Sequence, residues 1–215
     1  MKAVCVFCGS SVGNDPAYAE AARLLGRTIA GSGLTLVYGG GHVGLMGVVA
    51  DAALGAGGRV VGVMPKALVD REIAHAGLTK LHVVGSMHER KALMASLAGG
   101  FVDLPGGNGT LEEFFEVLTW AQLGEHDKPC GLLNVAGYYD PLLVVFDRMV
   151  ERGFLGENHR DLVLVENGPQ KLLERFGAYE PPKSVKWVAD GGPTRKEAAG
   201  HQEADGRPLK ADGSK

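Results

Sequence analysis

Short apolar segments alternate with helix-like segments along most of this chain, and this alternation limits the folds open to it. The strand-like segments are residues 2–8, 34–38, 59–64, 81–84, 100–104, 130–135 and 162–165. Several are apolar throughout, which is typical of parallel strands buried on both faces. The pattern therefore predicts an α/β fold, a Rossmann-like doubly wound parallel sheet in a single domain.

The domain is predicted to span residues 1–182, followed by a disordered tail at residues 183–215. After Val188 the only large apolar residue is Leu209, which lies among Gly, Pro, Lys, Glu and Asp. Such a segment cannot bury enough apolar surface to offset the entropy lost on ordering.

Composition excludes several functional classes. The chain has 215 residues and a net charge of −3, whereas a nucleic-acid binder needs a basic surface. No apolar run reaches the length of a membrane span, and the N-terminal segment lacks a signal peptide's cleavage region. The three cysteines lack zinc spacing and are expected to be reduced core thiols. We therefore expect a cytoplasmic protein that binds neither nucleic acid, membrane nor metal.

The most distinctive stretch is LPGGNGTLEE at residues 104–113, between a predicted strand and a predicted helix over 111–123. Three glycines in four positions allow a tight turn whose N–H groups face one point before a helix N-terminus, where anions bind. Glu113 would lie one turn into the helix, beside that point. The stretch therefore indicates a phosphate site with an acid next to it.

A purely structural interpretation fits the same residues. Thr110 and Glu113 have the spacing of a capping box, in which the threonine hydroxyl and the glutamate satisfy the first N–H groups of a helix. Glu113 would then be only a cap. The sequence leaves both interpretations open.

A second glycine-rich loop, GGGHVG at residues 39–44, matches G-x-G-x-x-G between a strand and a helix. No acid ends the next strand to bind a ribose, so we expect the loop to hold part of a nucleotide rather than NAD. Close packing of helix on strand is the alternative. The carboxyl ends of parallel strands share one rim, so this loop, Gly9-Ser10 and residues 106–110 should line one crevice.

Three charged side chains outside the glycine loops are further candidates. Arg90 lies on the apolar face of a predicted helix over 86–98, so its charge needs an anionic partner, either Glu113 or a substrate oxygen. Lys91, about 100° farther round the helix, reaches either a phosphate or solvent. Glu72 lies in an irregular loop and is by default an exposed glutamate.

These motifs together resemble a known family. PGGNGTLEE, with MHERK before it and EVLTWAQLG after it, resembles the Lonely Guy family of cytokinin riboside 5′-monophosphate phosphoribohydrolases, many of which were once labelled lysine decarboxylases. The family pattern P-G-G-x-G-T-x-x-E is met by residues 105–113 and its Arg-Lys pair by Arg90 and Lys91. The resemblance covers roughly residues 2–180.

The resemblance implies hydrolysis of the N-glycosidic bond of an N6-substituted adenosine monophosphate, without a metal or organic cofactor, by a homodimer or larger homo-oligomer. It assigns catalysis to Arg90 and Glu113. The implied substrate-binding residues are Glu72, Lys91, Gly106, Gly107, Asn108, Gly109, Thr110, Glu112 and Thr119, with Gly9, Ser10, Gly40, Gly41 and Met87 as further candidates.

Two rival functions stay open from the sequence. One is a general nucleoside monophosphate glycosidase, since nothing in the sequence sizes a pocket for the N6 group. The other is a non-catalytic carrier of a nucleotide or of the molybdenum cofactor. Retention of both Arg90 and Glu113 favours an enzyme, and no lysine has a recognisable Schiff-base setting for pyridoxal-dependent decarboxylation.

Overall fold

The computed structural model describes residues 1–71 and 74–182. Glu72 and the predicted tail at residues 183–215 lie outside the described residues. Within them, no helix is long and apolar enough to cross a membrane.

The described residues form seven strands and eight α-helices, and a helix follows each strand as the sequence predicts. The strands are β1 (Ala3–Phe7), β2 (Thr35–Tyr38), β3 (Arg59–Pro65), β4 (Lys80–Val84), β5 (Phe101–Asp103), β6 (Cys130–Leu133) and β7 (Val163–Glu166). The helices are α1 (Pro16–Gly31), α2 (Gly44–Gly55), α3 (Lys66–Val69), α4 (Met87–Leu97), α5 (Asn108–Leu123), α6 (Asp140–Glu151), α7 (Glu157–Arg160) and α8 (Pro169–Gly177), with a 3-10 turn at Val135–Gly137. The α/β prediction is confirmed.

The strands form one parallel sheet in the order β4-β3-β2-β1-β5-β6-β7. The chain winds outward from β1 to β4, then crosses back to place β5 on the other side of β1, where Cys5 pairs with Phe101. The direction of winding thus reverses between β1 and β5. Ligands of doubly wound sheets bind beyond the carboxyl ends of the strands at this reversal.

Helices cover both faces of the sheet. On one face α1, α2 and α8 contribute Leu25, Val49 and Leu172 to the first buried cluster. On the other face α4, α5 and α6 contribute Met94, Phe114 and Phe146 to the second cluster. Burial on both sides explains why the strands are apolar throughout rather than alternating.

Local signals in the sequence fix several helix starts. Asp15 caps α1, since its Oδ1 accepts a hydrogen bond from the Ala17 N–H at 2.8 Å, and Pro16 occupies the first turn. Ser86 caps α4 in the same way, accepting from the Glu89 N–H at 3.1 Å. The capped start of α4 sets the position of Arg90 one turn later.

Candidate active site

The loops that follow β1, β2 and β5 contact one another at the reversal of the sheet. The Gly9 N–H donates to the Pro105 carbonyl at 3.1 Å, and the Gly9 carbonyl accepts from the Leu45 N–H at 3.0 Å. Gly44 has a left-handed φ of 59°, and a Cβ there would lie 2.2 Å from the Ser10 carbonyl carbon. The structure therefore brings Gly9, Ser10 and both glycine-rich loops to one rim.

The glycines of the loop after β5 have two different environments. A Cβ at Gly106 would lie 2.2 Å from Thr110 Oγ1 and 2.8 Å from the Gly9 nitrogen, so only glycine fits there. A Cβ at Gly107 or Gly109 would meet no atom within 4 Å. Gly106 is needed for packing inside the rim, whereas Gly107 and Gly109 leave open space at the N-terminus of α5, where an anion is stabilised.

The capping-box interpretation of Glu113 is wrong. Helix α5 begins at Asn108 with Gly107 as its N-cap, three residues before the predicted start, and no side chain caps it. Thr110 is buried at the third helical position beside Gly106, and Glu113 is the sixth residue of the helix. Glu113 is therefore too far along α5 to satisfy its first N–H groups.

Glu113 instead faces Arg90. Glu113 Oε1 lies 3.1 Å from Arg90 Nη1, and each side chain is 11% exposed. The contact is an ion pair without hydrogen-bond alignment, because Glu113 Oε1 has no hydrogen-bond partner. Of the two partners that the sequence allowed for Arg90, the structure supplies Glu113. Glu113 Oε1 can therefore still accept a hydrogen bond from a substrate or a water molecule.

The pocket around Arg90 is shaped for a guanidinium. Arg90 Nε donates to the Val63 carbonyl at 3.2 Å, and Nη1 contacts Met87 Sδ at 3.8 Å. A Cβ at Gly39 would lie 2.2 Å from Arg90 Nη2. The ends of β2 and β3 thus hold Arg90 against the rim, and Gly39 is required because the guanidinium lies directly over it.

Burial shifts the protonation of Glu113. Removal from water raises the pKa of Glu113, while the nearby Arg90 charge opposes the shift. The net effect is a raised pKa for Glu113. A carboxyl group whose pKa moves toward neutrality is a better general base at physiological pH than an exposed glutamate.

Lys91 meets neither of the partners expected from the sequence. Its side chain is 9% exposed, and Nζ forms ion pairs with Glu112 and, at 3.0 Å, with Glu116. These contacts join α4 to α5 beside the Arg90–Glu113 pair. In the structure Lys91 and Glu112 bind each other, and their direct roles with substrate stay predictions.

Three further predicted residues, Thr119, Gly40 and Gly41, have different surroundings. Thr119 is exposed on α5, about 9 Å along the axis and about 240° round from Glu113 at helical spacing, so it does not share that side of the helix. Gly40 has a φ of 82° and packs on Gly62 of β3, whose Cβ would lie 2.7 Å from the Gly40 Cα. Gly41 pairs with Ala74 in a β-bridge. Close packing therefore accounts for Gly40.

Sequence reasoning missed three residues beside the glycine loop. Tyr138 and Tyr139, after β6, donate hydrogen bonds to loop carbonyls. Asp103, at the end of β5, is completely buried and neither carboxyl oxygen has a hydrogen-bond partner. The signal available was position, since polar residues that follow parallel strands reach the same rim. Within the described ranges no group of His, Cys, Asp and Glu side chains could hold a metal ion.

Comparison with known proteins gives one consistent family. A family model described as possible lysine decarboxylase matches residues 46–176. The probable cytokinin riboside 5′-monophosphate phosphoribohydrolase LOGL2 of Oryza sativa subsp. japonica is 49% identical over 191 residues, covering 86% of this chain and 78% of the relative. The cytokinin riboside 5′-monophosphate phosphoribohydrolase LOG1 of Arabidopsis thaliana is 47% identical over 180 residues, 84% of each chain.

A solved structure shares the fold at lower identity. The molybdenum cofactor binding protein of Rippkaea orientalis superposes with a TM-score of 0.63 and 21% identity, covering 83% of this chain and 97% of that protein. At this identity the match establishes the Rossmann-like fold alone. The sequence relatives go further: this chain belongs to the Lonely Guy family of cytokinin riboside 5′-monophosphate phosphoribohydrolases.

Proposed function

We propose that this protein hydrolyses the N-glycosidic bond of cytokinin riboside 5′-monophosphates, which are N6-substituted adenosine monophosphates, to the free base and ribose 5-phosphate. The observation that carries the proposal is the Arg90–Glu113 pair, 3.1 Å apart and nearly buried at the rim that the open glycine loop shares. Family membership and the names of the relatives support the same substrate class.

The chemistry needs a carboxylate near the sugar. Cleavage of the glycosidic bond builds positive charge on the ribose, and a fixed carboxylate stabilises that charge and orients or deprotonates the attacking water. Glu113 takes this role. Arg90 either keeps Glu113 ionised and in place or contacts the ribose hydroxyls. Its 3.1 Å contact with Glu113 and its hydrogen bond to the Val63 carbonyl support the first role.

The glycine loop anchors the other end of the nucleotide. Gly106, Gly107, Asn108, Gly109 and Thr110 form the turn and the first residues of α5, where backbone N–H groups and the helix dipole attract the 5′-phosphate. Binding energy from the phosphate then fixes the ribose over Glu113, which lowers the entropy cost of the reaction.

A non-catalytic carrier is the less favoured alternative. The structural match to a molybdenum cofactor binding protein, at 21% identity, carries the fold and no function. A carrier also gives no reason to bury a glutamate and an arginine together beside the ligand, since burying ionised groups is costly. We further propose a cytoplasmic homodimer or larger homo-oligomer, an expectation that rests on the family resemblance.

The test is incubation of the purified full-length protein with isopentenyladenosine monophosphate, AMP and the unphosphorylated isopentenyladenosine, followed by chromatography of the released base. We expect release from isopentenyladenosine monophosphate and none from the riboside, because the riboside cannot engage the loop. Equal release from AMP would favour the general nucleotide glycosidase. No release from either nucleotide would contradict the proposed function.

A further inference from the structure

The hydroxyl groups of two consecutive tyrosines donate hydrogen bonds to backbone carbonyls where β5 leads into the glycine loop. The Tyr139 hydroxyl donates to the Leu104 carbonyl at 2.7 Å, and the Tyr138 hydroxyl donates to the Gly106 carbonyl. The two acceptors lie on either side of Pro105, at the point where β5 turns into the loop. Both tyrosines belong to the segment between β6 and α6, so a separate part of the chain holds the turn.

A hydrogen bond to a carbonyl also fixes the next N–H group. The peptide bond is planar and trans, so the C=O of Gly106 and the N–H of Gly107 point in opposite directions. Holding the Gly106 carbonyl toward Tyr138 therefore turns the Gly107 N–H away from it. Gly107 is the exposed N-cap of α5 and adjoins the open space described above. The hydrogen bond also polarises that peptide unit and makes its N–H a stronger donor.

The turn that presents the tyrosines is strained. Ala136 has φ 51° and ψ 32°, and it is the only non-glycine residue with a positive φ in the part of the chain that the structure describes. Left-handed conformations are unfavourable for alanine, and such strain persists where the surroundings enforce it, often at functional sites. Gly137 follows with φ 70°, where a Cβ would lie 2.6 Å from Asp140 Oδ2.

Side-chain hydrogen bonds enforce this turn. Asn134 Oδ1 accepts from the Tyr139 N–H at 2.8 Å, and Asn134 Nδ2 donates to Asp140 Oδ1 at 2.7 Å. Asn134 is itself tied to β7, because its N–H donates to the Glu166 carbonyl at 2.8 Å. The strained turn is therefore fixed to the edge of the sheet, and it carries the two hydroxyl groups to the loop.

We propose that Tyr138 is a positioning residue for the 5′-phosphate: it turns the Gly106 carbonyl away from the anion, so that the Gly107 N–H faces it. Tyr139 fixes the start of the turn, because its acceptor Leu104 precedes Pro105, which has no N–H to offer. The inference rests on the proposed function for the identity of the substrate. The anion-binding step itself is separable from hydrolysis, since ribose 5-phosphate and inorganic phosphate are ligands without a glycosidic bond.

Ring packing is the competing explanation, and a hydroxyl deletion separates the two. The Tyr138 ring packs edge-on against two other rings, with its centroid 5.7 Å from that of Tyr18 and 5.0 Å from that of Tyr139. Replacing Tyr138 by phenylalanine keeps these ring contacts and removes only the hydrogen bond to Gly106. Tyr138 is 39% exposed, so this variant is expected to fold. Tyr18→Phe is the matched control, because it removes a hydroxyl from the same aromatic cluster.

The experiment measures binding of ribose 5-phosphate and inorganic phosphate by titration calorimetry, and kcat and KM for the nucleotide substrate. Tyr138→Phe should weaken binding of both ligands about tenfold, the factor that corresponds to an ordinary hydrogen bond. KM should rise by a similar factor while kcat and the melting temperature stay close to wild type. Tyr18→Phe should leave all of these unchanged.

Three results would overturn the inference: unchanged phosphate affinity in Tyr138→Phe, an equal loss in Tyr18→Phe, or a wild-type protein that binds neither ligand. A fall in kcat and melting temperature without a change in affinity would likewise assign Tyr138 to packing. If the wild type binds ribose 5-phosphate, and Tyr138→Phe weakens that binding, but no nucleotide is hydrolysed, the proposed function fails and the positioning role stands.

Discussion

Replacing Asp103 should stabilise this protein. Asp103 ends β5, two residues before Pro105, with 0% of its surface exposed and no hydrogen-bond partner for either oxygen. Burial, reinforced by the charge of Glu113, raises the pKa of Asp103 well above its usual range. The raised pKa favours the protonated acid in the folded protein, and neither carboxyl oxygen has a hydrogen-bond partner in the described chain.

The expected gain follows from the cost of that unsatisfied group. A buried polar group without a partner costs about 1–3 kcal/mol, and valine has a similar size and suits a buried strand. Asp103→Val should therefore raise the free energy of unfolding by about 2 kcal/mol even where aspartate is protonated in both states. For a domain of this size that corresponds to a melting temperature about 4–8 °C higher.

The gain should increase with pH. The unfolded chain releases the Asp103 proton above about pH 4, whereas the folded protein keeps it because the folded pKa is raised. The contribution of Asp103 to stability thus falls as pH rises through this window, by at most about 1.4 kcal/mol per pH unit. Asp103→Val removes this dependence, so the difference between variant and wild type should be smallest near pH 4 and larger at pH 7.

Denaturant unfolding of both proteins from pH 4 to pH 7 measures the difference directly. Asp103→Asn serves as a second variant, because it removes the titration but keeps a polar group in the same space. A wild type more stable than Asp103→Val, or a difference that does not change with pH, would refute the reasoning that Asp103 is buried and unpaired and has a raised pKa.

Two further predictions concern the loop and the helix pair. Gly106→Ala should destabilise the protein and abolish binding of ribose 5-phosphate, because its Cβ would collide with Thr110 Oγ1 and the Gly9 nitrogen. Gly107→Ala meets no atom within 4 Å and should lower the melting temperature much less, only through the poorer N-cap that alanine provides. Thermal melts with and without the ligand compare the two variants, and equal melting temperatures would contradict the packing argument. Lys91→Met should lower the melting temperature and kcat together, because the ion pairs to Glu112 and Glu116 that join α4 to α5 are lost. A rise in KM alone, at an unchanged melting temperature, would instead support direct phosphate binding by Lys91.

The sequence was sufficient to predict the fold because its signals were local and agreed with one another. Apolar strands marked the sheet, and the helix predicted over residues 86–98 is found as α4, with Ser86 as its N-cap. The start of α5 was misjudged by three residues, because Thr110 followed by Glu113 has the spacing of a capping box although Gly107 is the N-cap. Spacing alone cannot distinguish a glutamate that caps its helix from one that faces a residue of another helix.

The site was predictable only in part. The face of α4 predicted that Arg90 needs an anion, and the structure supplies Glu113 at 3.1 Å. The ion pairs of Lys91 depend on how closely α4 and α5 approach each other. The spacing of residues along the sequence does not give the distance between two helices. The sequence places Asp103 near the end of a strand but does not show that it is buried. Its burial follows from the strands on both sides of β5, where Phe7 and Leu132 are its neighbours.

We propose that Glu113 acts on the sugar through its charge, and the rate of base release from isopentenyladenosine monophosphate by Glu113→Gln tests this most directly. Glu116→Gln is the matched control, one turn farther along α5 and paired with Lys91. We predict that Glu113→Gln folds normally and hydrolyses about 10²–10⁴-fold more slowly, the range expected for loss of a general base. Glu116→Gln should stay near the wild-type rate, because Lys91 keeps its ion pair with Glu112 and α4 stays joined to α5. A folded Glu113→Gln protein with wild-type turnover would contradict the account.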